Sequence, residues 1–446
     1  MRQYIDLFTE HEALLRENSP SFMNGMRQKA LKDFASNGFP SLKDEDYRHT
    51  DVAKAFAPDY GLNLQRIKIP VNPFEAFGCD VPNLSTQLFF MVNDSFYEDY
   101  TPKVSLPEGV YAGGFRRFAD LYPEVAARYY GSLADTAQDS ITAINTMFAQ
   151  DGFVLYVGHD VKVERSFQLV NIFHSEVDIM ANRRMLIIME PRSAAKLLVC
   201  DHTMDSVNCL ATQVIEIFAD EGAYFDYYDL EESTVDTSRF SSLYVRQQAH
   251  SNVLVNGITL VNGLTRNNYR ITLEGEDAET MLCGMSVLDG SQQVDVYSHI
   301  THQAPKCRSN ELFKNVLNDN STGVFSGRIL VCEGAQKTEA YQSNRNMCMT
   351  SEARMYGKPQ LEIYTDDVKC SHGMTTGQID EQALFYMQSR GVSRDEARRM
   401  LSVAFTADVI DNVRLDALKN RLHYLVDKRF RGELVHCADC RCKKCS

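Results

Sequence analysis

The segments FVLYVG (153–158), VKVERSFQLVNIF (161–173), MLIIM (185–189) and KLLVC (196–200) decide the fold of this chain. Each segment is short, rich in β-branched or aromatic residues, and bounded by Gly, Asn, Asp or Pro, which is typical of a β-strand. The pattern continues in further runs, namely QVIEIF (213–218), AYFDYY (223–228), LYVRQQ (243–248), VLVNGITLVNG (253–263), YRITLEG (269–275), VDVYSHI (294–300) and GRILVCEG (327–334). The sequence therefore predicts a mainly β unit built from many short strands.

The spacing of these strands limits the possible architectures. No segment with strong helical periodicity separates them over about 200 residues, so an alternating β/α fold is disfavoured. An all-β sandwich and a β-solenoid both remain open. The solenoid is slightly favoured because so many strands in one open sheet would have to curl or split. The sequence shows no strict repeat that would decide between them.

The β-rich stretch divides the chain into four parts. Residues 1–140 are predicted to form a helical and mixed region, in which helix formers precede Gly38 and several prolines follow. Residues 141–375 form the predicted β core, and residues 376–432 form a helical domain. Residues 433–446 form a cysteine-rich tail.

The helical domain is predicted to contain three helices. The first runs from Asp380 to Arg390 and is closed by Gly391. The second begins at Ser393, which has capping-box spacing to a glutamate three residues later. We expect it to bury an apolar face made of Ala397, Met400, Leu401, Ala404 and Phe405. The third carries the row Leu415, Leu418, Leu422 and Leu425. Such helices can shield the open end of a solenoid, and they are long enough to present a second face to a partner.

Composition and charge exclude several function classes. The 446 residues carry a formal net charge of -14, which repels nucleic acid and anionic lipid. No stretch approaches the roughly 18–20 apolar residues of a membrane span. The opening MRQYIDLFTEHEALL carries acids where a secretion signal needs an apolar block. We therefore expect a cytoplasmic protein without nucleic-acid or membrane partners, whose 12 cysteines are reduced thiols.

A nucleotide site is not expected. Gly323, Gly327 and Gly334 lie in one glycine-containing stretch, but they lack the G-K-[ST] ending and the following helix of a phosphate loop. Turn glycines between strands explain them better.

The tail HCADCRCKKCS carries the densest set of metal-ligating residues. Cys437, Cys440, Cys442 and Cys445 have C-x2-C-x-C-x2-C spacing, with His436 beside them. Thiols so close together favour zinc, iron or a cluster, although the spacing is not that of a zinc ribbon. A flexible thiol tail is the alternative, and the sequence does not separate the two.

Cys370 and His372 form a second candidate site. Residues two apart on a strand share a face, so this thiol and this imidazole could meet one iron or cluster. A structural cysteine beside a hydrogen-bonded histidine is the alternative. His299 and His302 are three residues apart, which would place them on opposite faces of a strand or together on a turn. Structural roles are favoured, and a secondary metal role is the alternative.

Three stretches carry a resemblance to a known family. They are GVFSGRILVCEGAQKTEAYQSNRN (323–346), KPQLEIYTDDVKCSHGMTTGQIDEQALFYMQSRGV (358–392) and EDYRHTD (45–51). These stretches resemble the SufB/SufD family of iron–sulfur cluster assembly scaffold proteins, and the second resembles its SufD branch. The resemblance implies a right-handed parallel β-helix flanked by N-terminal and C-terminal helical domains.

The resemblance also implies a function. A SufD-type chain is a non-catalytic scaffold subunit that pairs with SufB through the β-helix. Its helical domain binds SufC, an ABC-type ATPase, so ATP hydrolysis is expected in that partner. A nascent iron–sulfur cluster is held transiently at the SufB–SufD interface, and a homodimer is possible when SufB is absent.

Individual positions separate the two branches of the family. Where SufB-like sequences carry an acceptor cysteine, this chain has Asn344, and Cys348 lies four residues further on. The SufD branch offers a histidine to the cluster, and that position is His372; a role for Cys370 stays open. The MCMT stretch (347–350) and the cysteine-rich tail depart from the family pattern.

Other function classes remain as alternatives. A SufB-like scaffold subunit is one, and a thiol-rich metal store acting through the tail is another. A β-helix enzyme acting on polysaccharides is a third, but the chain has no Trp for sugar stacking and its charge of -14 fits an acidic substrate badly.

Overall fold

A computed structural model describes residues 1–69, 72–73, 86–98 and 106–433. The chain is a mainly β solenoid of about eight turns with helices at both termini. This confirms the predicted fold class. It also settles the alternative between sandwich and solenoid, because the long ladders are parallel, as in a coiled solenoid, whereas sandwich sheets are antiparallel.

The strands form two sheets that face each other. The strands are β1 (Gln87–Val92), β2 (Ser95–Phe96), β3 (Val110–Gly114), β4 (Phe153–Val157), β5 (Phe167–Phe173), β6 (Ile179–Met189), β7 (Ala194–Thr203), β8 (Cys209–Ala219), β9 (Tyr224–Glu232), β10 (Thr237–Gln247), β11 (Asn252–Val261), β12 (Leu264–Leu273), β13 (Glu279–Leu288), β14 (Gln293–His302), β15 (Arg308–Leu317), β16 (Thr322–Val331), β17 (Glu339–Cys348), β18 (Arg354–Ile363) and β19 (Lys369–Gly377). Sheet I contains β1, β2 and the odd-numbered strands from β5 to β19. Sheet II contains β3 and the even-numbered strands from β4 to β18.

From β5 onward the chain alternates between the two sheets, so each coil contributes one strand to each. At one corner of each successive coil, one residue adopts the same backbone conformation, which has a positive φ. It recurs about every 30 residues, at Asp160, Arg192, Gly222, His250, Asp277, Lys306, Lys337 and Asp367. The backbone amide at this corner bonds to the next coil, as from Arg192 to Glu221 (2.8 Å) and from Lys306 to Gln336 (2.8 Å). The repeat is therefore conformational rather than a repeat of residue type.

Alternate side chains of each strand point into the lumen between the sheets or onto an outer face. The lumen holds the largest apolar core, with Leu197, Val255 and Leu282 contributed by sheet I. One lumen column stays polar through the whole solenoid. Its members, joined by strand register, are Asn171, Asp201, Glu231, Thr259, Ser286, Asn315, Asn346 and Thr376.

The helices cover the outer faces of the two sheets. They are α1 (Arg2–Glu17), α2 (Ser21–Asn24), α3 (Arg27–Asn37), α4 (Val52–Ala55), α5 (Phe115–Leu121), α6 (Pro123–Tyr129), α7 (Ser140–Phe148), α8 (Glu381–Ser389), α9 (Arg394–Asp411) and α10 (Asp416–Phe430). The N-terminal helices pack on sheet II, where Phe8 and Ile144 share a cluster with Phe240. As predicted, the side chain of Ser393 caps the start of α9, and the side chain of Asp380 caps the start of α8.

Two expectations about the C-terminal helices were wrong. Helices α9 and α10 pack on the outer face of sheet I, where Val409 and Leu422 meet Leu254, and they do not shield the end of the solenoid. The buried face of α9 also differs from the predicted apolar row, since Met400 is 44% exposed. The helix instead buries Ala397, Ser402, Thr406, Val409 and Ile410. Because Ser402 and Thr406 have small side chains, α9 can lie close to sheet I.

The two ends of the solenoid differ. At the N-terminal end, the antiparallel strand β3 and the two-residue β2 close the sheets. At the C-terminal end, β18 and β19 have neighbours on one side only within the described residues. Both strands are mostly exposed or half-buried. Among the described residues, no helix is long and apolar enough to cross a membrane.

Replacing Leu422 by Ala tests the docking of the C-terminal helices. Leu422 is buried against sheet I, so its truncation should lower the free energy of unfolding by about 2–5 kcal/mol in urea denaturation. Tyr424 lies on the same helix but is 49% exposed, so Tyr424→Ala should change stability by only about 0.5 kcal/mol. Equal small losses for both variants would contradict this packing.

Candidate functional site at the open end of the solenoid

The structure places His372 at the mouth of the lumen. His372 lies on β19, in register with Gln342 on β17, which is in register with Glu311 on β15. Register partners in a parallel ladder point to the same side, and the hydrogen bond between the Gln342 and Glu311 side chains shows that this side is the interior. Because β19 is the last strand of sheet I, His372 is exposed. Its imidazole therefore faces the open end rather than a closed core.

Cys370 shares this face, as expected from its spacing. It is half-buried and packs beside Val331, Ala335 and Ala340. Burial raises the pKa of the Cys370 thiol, and a hydrogen bond with the backbone of Ala340 lowers it by less. The thiol is therefore protonated at neutral pH, whereas a metal ligand must be a thiolate.

A third soft donor, Met374, follows on the same face. Met374 is in register with the buried Asn344 of β17. Its sulfur packs against Gly357 of β18 on the opposite sheet, where any Cβ would overlap it. The missing side chain at Gly357 thus lets Met374 reach across the lumen, and the mouth is lined by a thiol, an imidazole and a thioether.

Below the mouth lies a buried carboxyl group, Glu311. Its Oε2 accepts hydrogen bonds from Ser298 Oγ (3.0 Å) and Gln342 Nε2 (2.8 Å), while its Oε1 has no partner among the described residues. Burial raises the pKa of Glu311 to about 7, and the two hydrogen bonds lower it by less. In the two preceding coils, the residues in register with Glu311 are Leu282 and Val255, which belong to the apolar core. Glu311 therefore lies at the border between the polar mouth and the apolar lumen.

The other fully buried acids have a cationic partner or a helix N-terminus. Glu216 bonds to Arg184 (2.9 Å), and Asp295 bonds to Arg266 (2.6 Å). Glu231 has the same raised pKa of about 7 as Glu311, mainly from burial, but lies 3.4 Å from Arg239. No ion pair to Glu311 exists within the described residues. Sequence reasoning missed this group, because only the strand register shows that it faces the lumen.

His299 and His302 do not form a metal pair. Both lie on the strand β14, so they point to its opposite sides rather than sharing a turn. His302 is buried, with Nε2 bonded to Ser309 Oγ (2.8 Å), and burial lowers the pKa of His302 to about 4. Burial, with nearby Arg328 and Arg270, likewise lowers the pKa of His299 to about 4. Across the described part of the chain, no group of three or more His, Cys, Asp and Glu side chains is placed to hold a metal.

An N-terminal segment reaches the open end from the other side. The imidazole of His49 stacks on Tyr356 of β18 at 3.9 Å, and Glu45 pairs with Lys358 of the same strand. Both N-terminal residues belong to the EDYRHTD segment (45–51), whose role the sequence left unassigned. The tail cysteines Cys437, Cys440, Cys442 and Cys445 lie outside the described residues.

Comparison with known proteins identifies the family. A family model for the SUF system FeS cluster assembly SufBD core domain matches residues 172–405, and one for the SufBD protein N-terminal region matches residues 1–169. The chain belongs to the SufBD family. It is therefore a SUF-system iron–sulfur cluster assembly protein.

Similarity to two individual SufBD proteins spans nearly the whole chain, and similarity to a third spans about two fifths of it. An iron–sulfur cluster assembly SufBD family protein of Synechocystis sp. is 27% identical over 432 residues, 94% of each chain. SufD of Bacillus subtilis is 22% identical over 449 residues, 96% of this chain and 98% of the relative. SufD of Escherichia coli is 34% identical over 173 residues, 39% of this chain and 41% of the relative.

The raised pKa of Glu311 makes stability depend on pH. A carboxyl whose pKa is higher in the folded chain than in the unfolded chain stabilises the fold at low pH and destabilises it above the folded pKa. A rise from 4.5 to about 7 corresponds to about 3 kcal/mol. With chelator present, Glu311→Gln should therefore raise the free energy of unfolding by up to about 3 kcal/mol at pH 8 and change it little at pH 4.5.

The control for this measurement is Glu339→Gln, which removes an acid from the outer face of β17. It should shift stability little at pH 8. Glu231 also has a raised pKa, but it titrates in the wild type and in both variants, so its effect on stability cancels when they are compared. Equal stability of wild type and Glu311→Gln at pH 8 would contradict the assignment.

Proposed function

We propose that this chain is the SufD-type scaffold subunit of a SUF assembly complex, and that it contributes ligands to a nascent iron–sulfur cluster at its interface with SufB. The observation that carries the proposal is the placement of His372 on an exposed last strand, at the mouth of the lumen. The SufD name of a relative matched over nearly its full length supports the branch, as does Asn344 at the position where SufB-like chains carry a cysteine.

The open end has the properties of a pairing surface. An unpaired strand edge offers a row of backbone donors and acceptors, and a related solenoid can extend the sheet across it. Large apolar side chains of the last coils are exposed there as well, namely Tyr341, Tyr356, Ile363 and Tyr364. Pro359 interrupts the donors of β18, whereas β19 carries no proline, so sheet I is the better candidate for continuation. SufB is the proposed partner, and a second copy of this chain is the candidate when SufB is absent.

His372 is the proposed cluster ligand of this chain. An imidazole suits iron, and its position at the interface lets ligands come from both subunits. Cys370 is the second candidate, and cluster binding would have to deprotonate its thiol. The cluster is cargo that is built and passed on. The tail thiols at Cys437, Cys440, Cys442 and Cys445 remain a proposed soft-metal site, with a flexible thiol tail as the alternative.

The helical domain is the proposed docking site for the SufC ATPase. Once one side of α9 and α10 is buried against sheet I, large side chains remain exposed on the helices. They are Phe385, Tyr386, Met400 and Tyr424, with exposures between 44% and 73%. Exposed apolar groups of this size favour a protein partner. In this proposal ATP is hydrolysed on SufC, this chain is a non-catalytic cytoplasmic scaffold, and it binds no nucleotide.

Replacing His372 by Ala tests the proposal. The variant should still co-purify with SufB and SufC, because pairing uses backbone groups and other side chains. The iron and sulfide recovered on the purified complex should fall several-fold, because an interfacial ligand is missing. Iron and acid-labile sulfide are measured on complexes isolated without oxygen.

Ser371→Ala is the matched control, since Ser371 is exposed on the same strand and points to the opposite side. It should leave iron and sulfide unchanged. An unchanged cluster yield in His372→Ala would remove the imidazole from the ligand set. Purification of the wild-type chain without any related β-solenoid or ATPase would contradict the scaffold role itself.

A further inference from the structure

The Glu311 carboxyl and the Gln342 amide lie side by side in the lumen beneath the mouth. Gln342 Nε2 donates to Glu311 Oε2 at 2.8 Å. The remaining oxygen of each group, Glu311 Oε1 and Gln342 Oε1, has no hydrogen-bond partner among the described residues. The two residues are 0% and 3% exposed. Two buried acceptors without a donor are costly, so the pair lacks one hydrogen.

A proton on the carboxyl supplies that hydrogen. A protonated carboxyl has one O–H donor and one carbonyl acceptor, and a primary amide likewise has N–H donors and a carbonyl acceptor. The two groups can therefore close a ring of two hydrogen bonds. In this ring Gln342 donates to Oε2, and Glu311 donates from Oε1 to the amide oxygen. Ser298 Oγ adds a third bond to Oε2, at 3.0 Å, from β14 on the opposite sheet.

Without the proton the same geometry is unfavourable. Glu311 Oε1 and Gln342 Oε1 are then two buried acceptors of one hydrogen-bonded pair, and one of them carries charge. Gln342 Nε2 packs so closely on Gly327 of the opposite sheet that a Cβ there would collide with it. The amide is therefore held against the carboxyl by its surroundings, and the proton decides whether the contact is favourable.

The groups around the pair do not replace the proton. Burial raises the pKa of Glu311 to about 7, and the hydrogen bonds from Gln342 and Ser298 lower it by less. The strands β13 and β16 present only uncharged residues to the lumen, such as Leu282 and Gly327. The titratable groups that face the lumen from the other neighbouring strands are Tyr269 on β12, His302 on β14, Cys348 on β17, and Cys370 and His372 on β19.

Most of these neighbours are uncharged near pH 7. Burial lowers the pKa of His302 to about 4 and raises the pKa of Tyr269, of Cys348 and of Cys370, so each stays in its neutral form. His372 stands two strand spacings from Glu311, roughly 10 Å away. The protonation of Glu311 therefore depends on its own burial and on its two hydrogen-bond partners.

We propose that Glu311 and Gln342 form a proton-operated lock on the last coils of the solenoid. With the proton in place, the acid–amide ring ties β15 to β17 and, through Ser298, to β14. When Glu311 releases its proton to solvent, the ring is lost and the coils next to the mouth open more readily. The lock does not depend on whether His372 binds a cluster.

The lock acts in a defined pH range. A carboxyl whose pKa is higher in a closed coil than in an opened coil favours the closed coil while it is protonated. The stabilising contribution is therefore complete below pH 4.5, the ordinary pKa, and is lost as the pH rises through about 7. The open end should accordingly be tightest in mildly acidic solution.

Hydrogen–deuterium exchange of the full-length chain tests the lock. Glu311→Gln replaces the acid–amide ring by an amide–amide ring, which has the same two hydrogen bonds and no titratable proton. Exchange in β17 (Glu339–Cys348) should match between the wild type and this variant at pH 4.5. At pH 8 the wild type should exchange faster, by about tenfold to a hundredfold. Comparison at one pH cancels the intrinsic pH dependence of exchange.

Infrared difference spectroscopy detects the proton itself. At pH 4.5 the wild type should show a protonated-carboxyl band that Glu311→Gln lacks, and the band should disappear with a midpoint near pH 7. Gln342→Met removes the amide from the ring and should move the band to higher frequency, because the carboxyl then donates no hydrogen bond. Glu339→Gln, on the outer face of β17, should leave the band and the exchange unchanged.

Three results would overturn the proposal. They are a wild-type spectrum without this band, a band that Gln342→Met does not move, and an exchange ratio between wild type and Glu311→Gln that is the same at pH 4.5 and pH 8. Wild type and Glu311→Gln alone decide whether the proton is present and whether opening depends on pH. Circular dichroism establishes that each variant is folded.

Discussion

Backbone hydrogen bonds between successive coils hold this molecule together, and they leave the last coil with one side unpaired. Each strand from β5 to β17 has a parallel neighbour on both sides, so its backbone groups are bonded within the sheet. Strands β18 and β19 have only one neighbour each in the described structure. A solenoid must end somewhere, and here the end combines a free edge, exposed aromatic groups and a lumen-facing imidazole. The candidate site therefore arises from the way the solenoid ends.

One column of lumen residues is polar along the whole solenoid, and a second column changes from apolar to polar toward the mouth. In the second column, Tyr227, Val255 and Leu282 are followed by Glu311 and Gln342 before His372 is reached. In this column the polar residues occur only in the last coils, where the solenoid opens.

The sequence predicted the strands and the family but not the repeat or the geometry of the lumen. The repeating corner is a positive-φ backbone conformation that usually favours glycine, yet only one of its eight named residues, Gly222, is a glycine. The helix face of α9 was misjudged because Ser402 and Thr406 are buried there instead of larger apolar residues. Strand periodicity placed His372 beside Cys370. Glu311 could not be placed, because its relation to that pair depends on the exact length of a coil.

Hydrogen–deuterium exchange across the last coil tests the central claim most directly, because it reports on the backbone edge itself. In the isolated chain, amides of β18 (Arg354–Ile363) and β19 (Lys369–Gly377) should exchange faster than those of the inner strands. In the complex with SufB, protection should rise in β19 above all. Slow exchange of these strands in the isolated chain, or no added protection in the complex, would contradict an open end that pairs with a second solenoid.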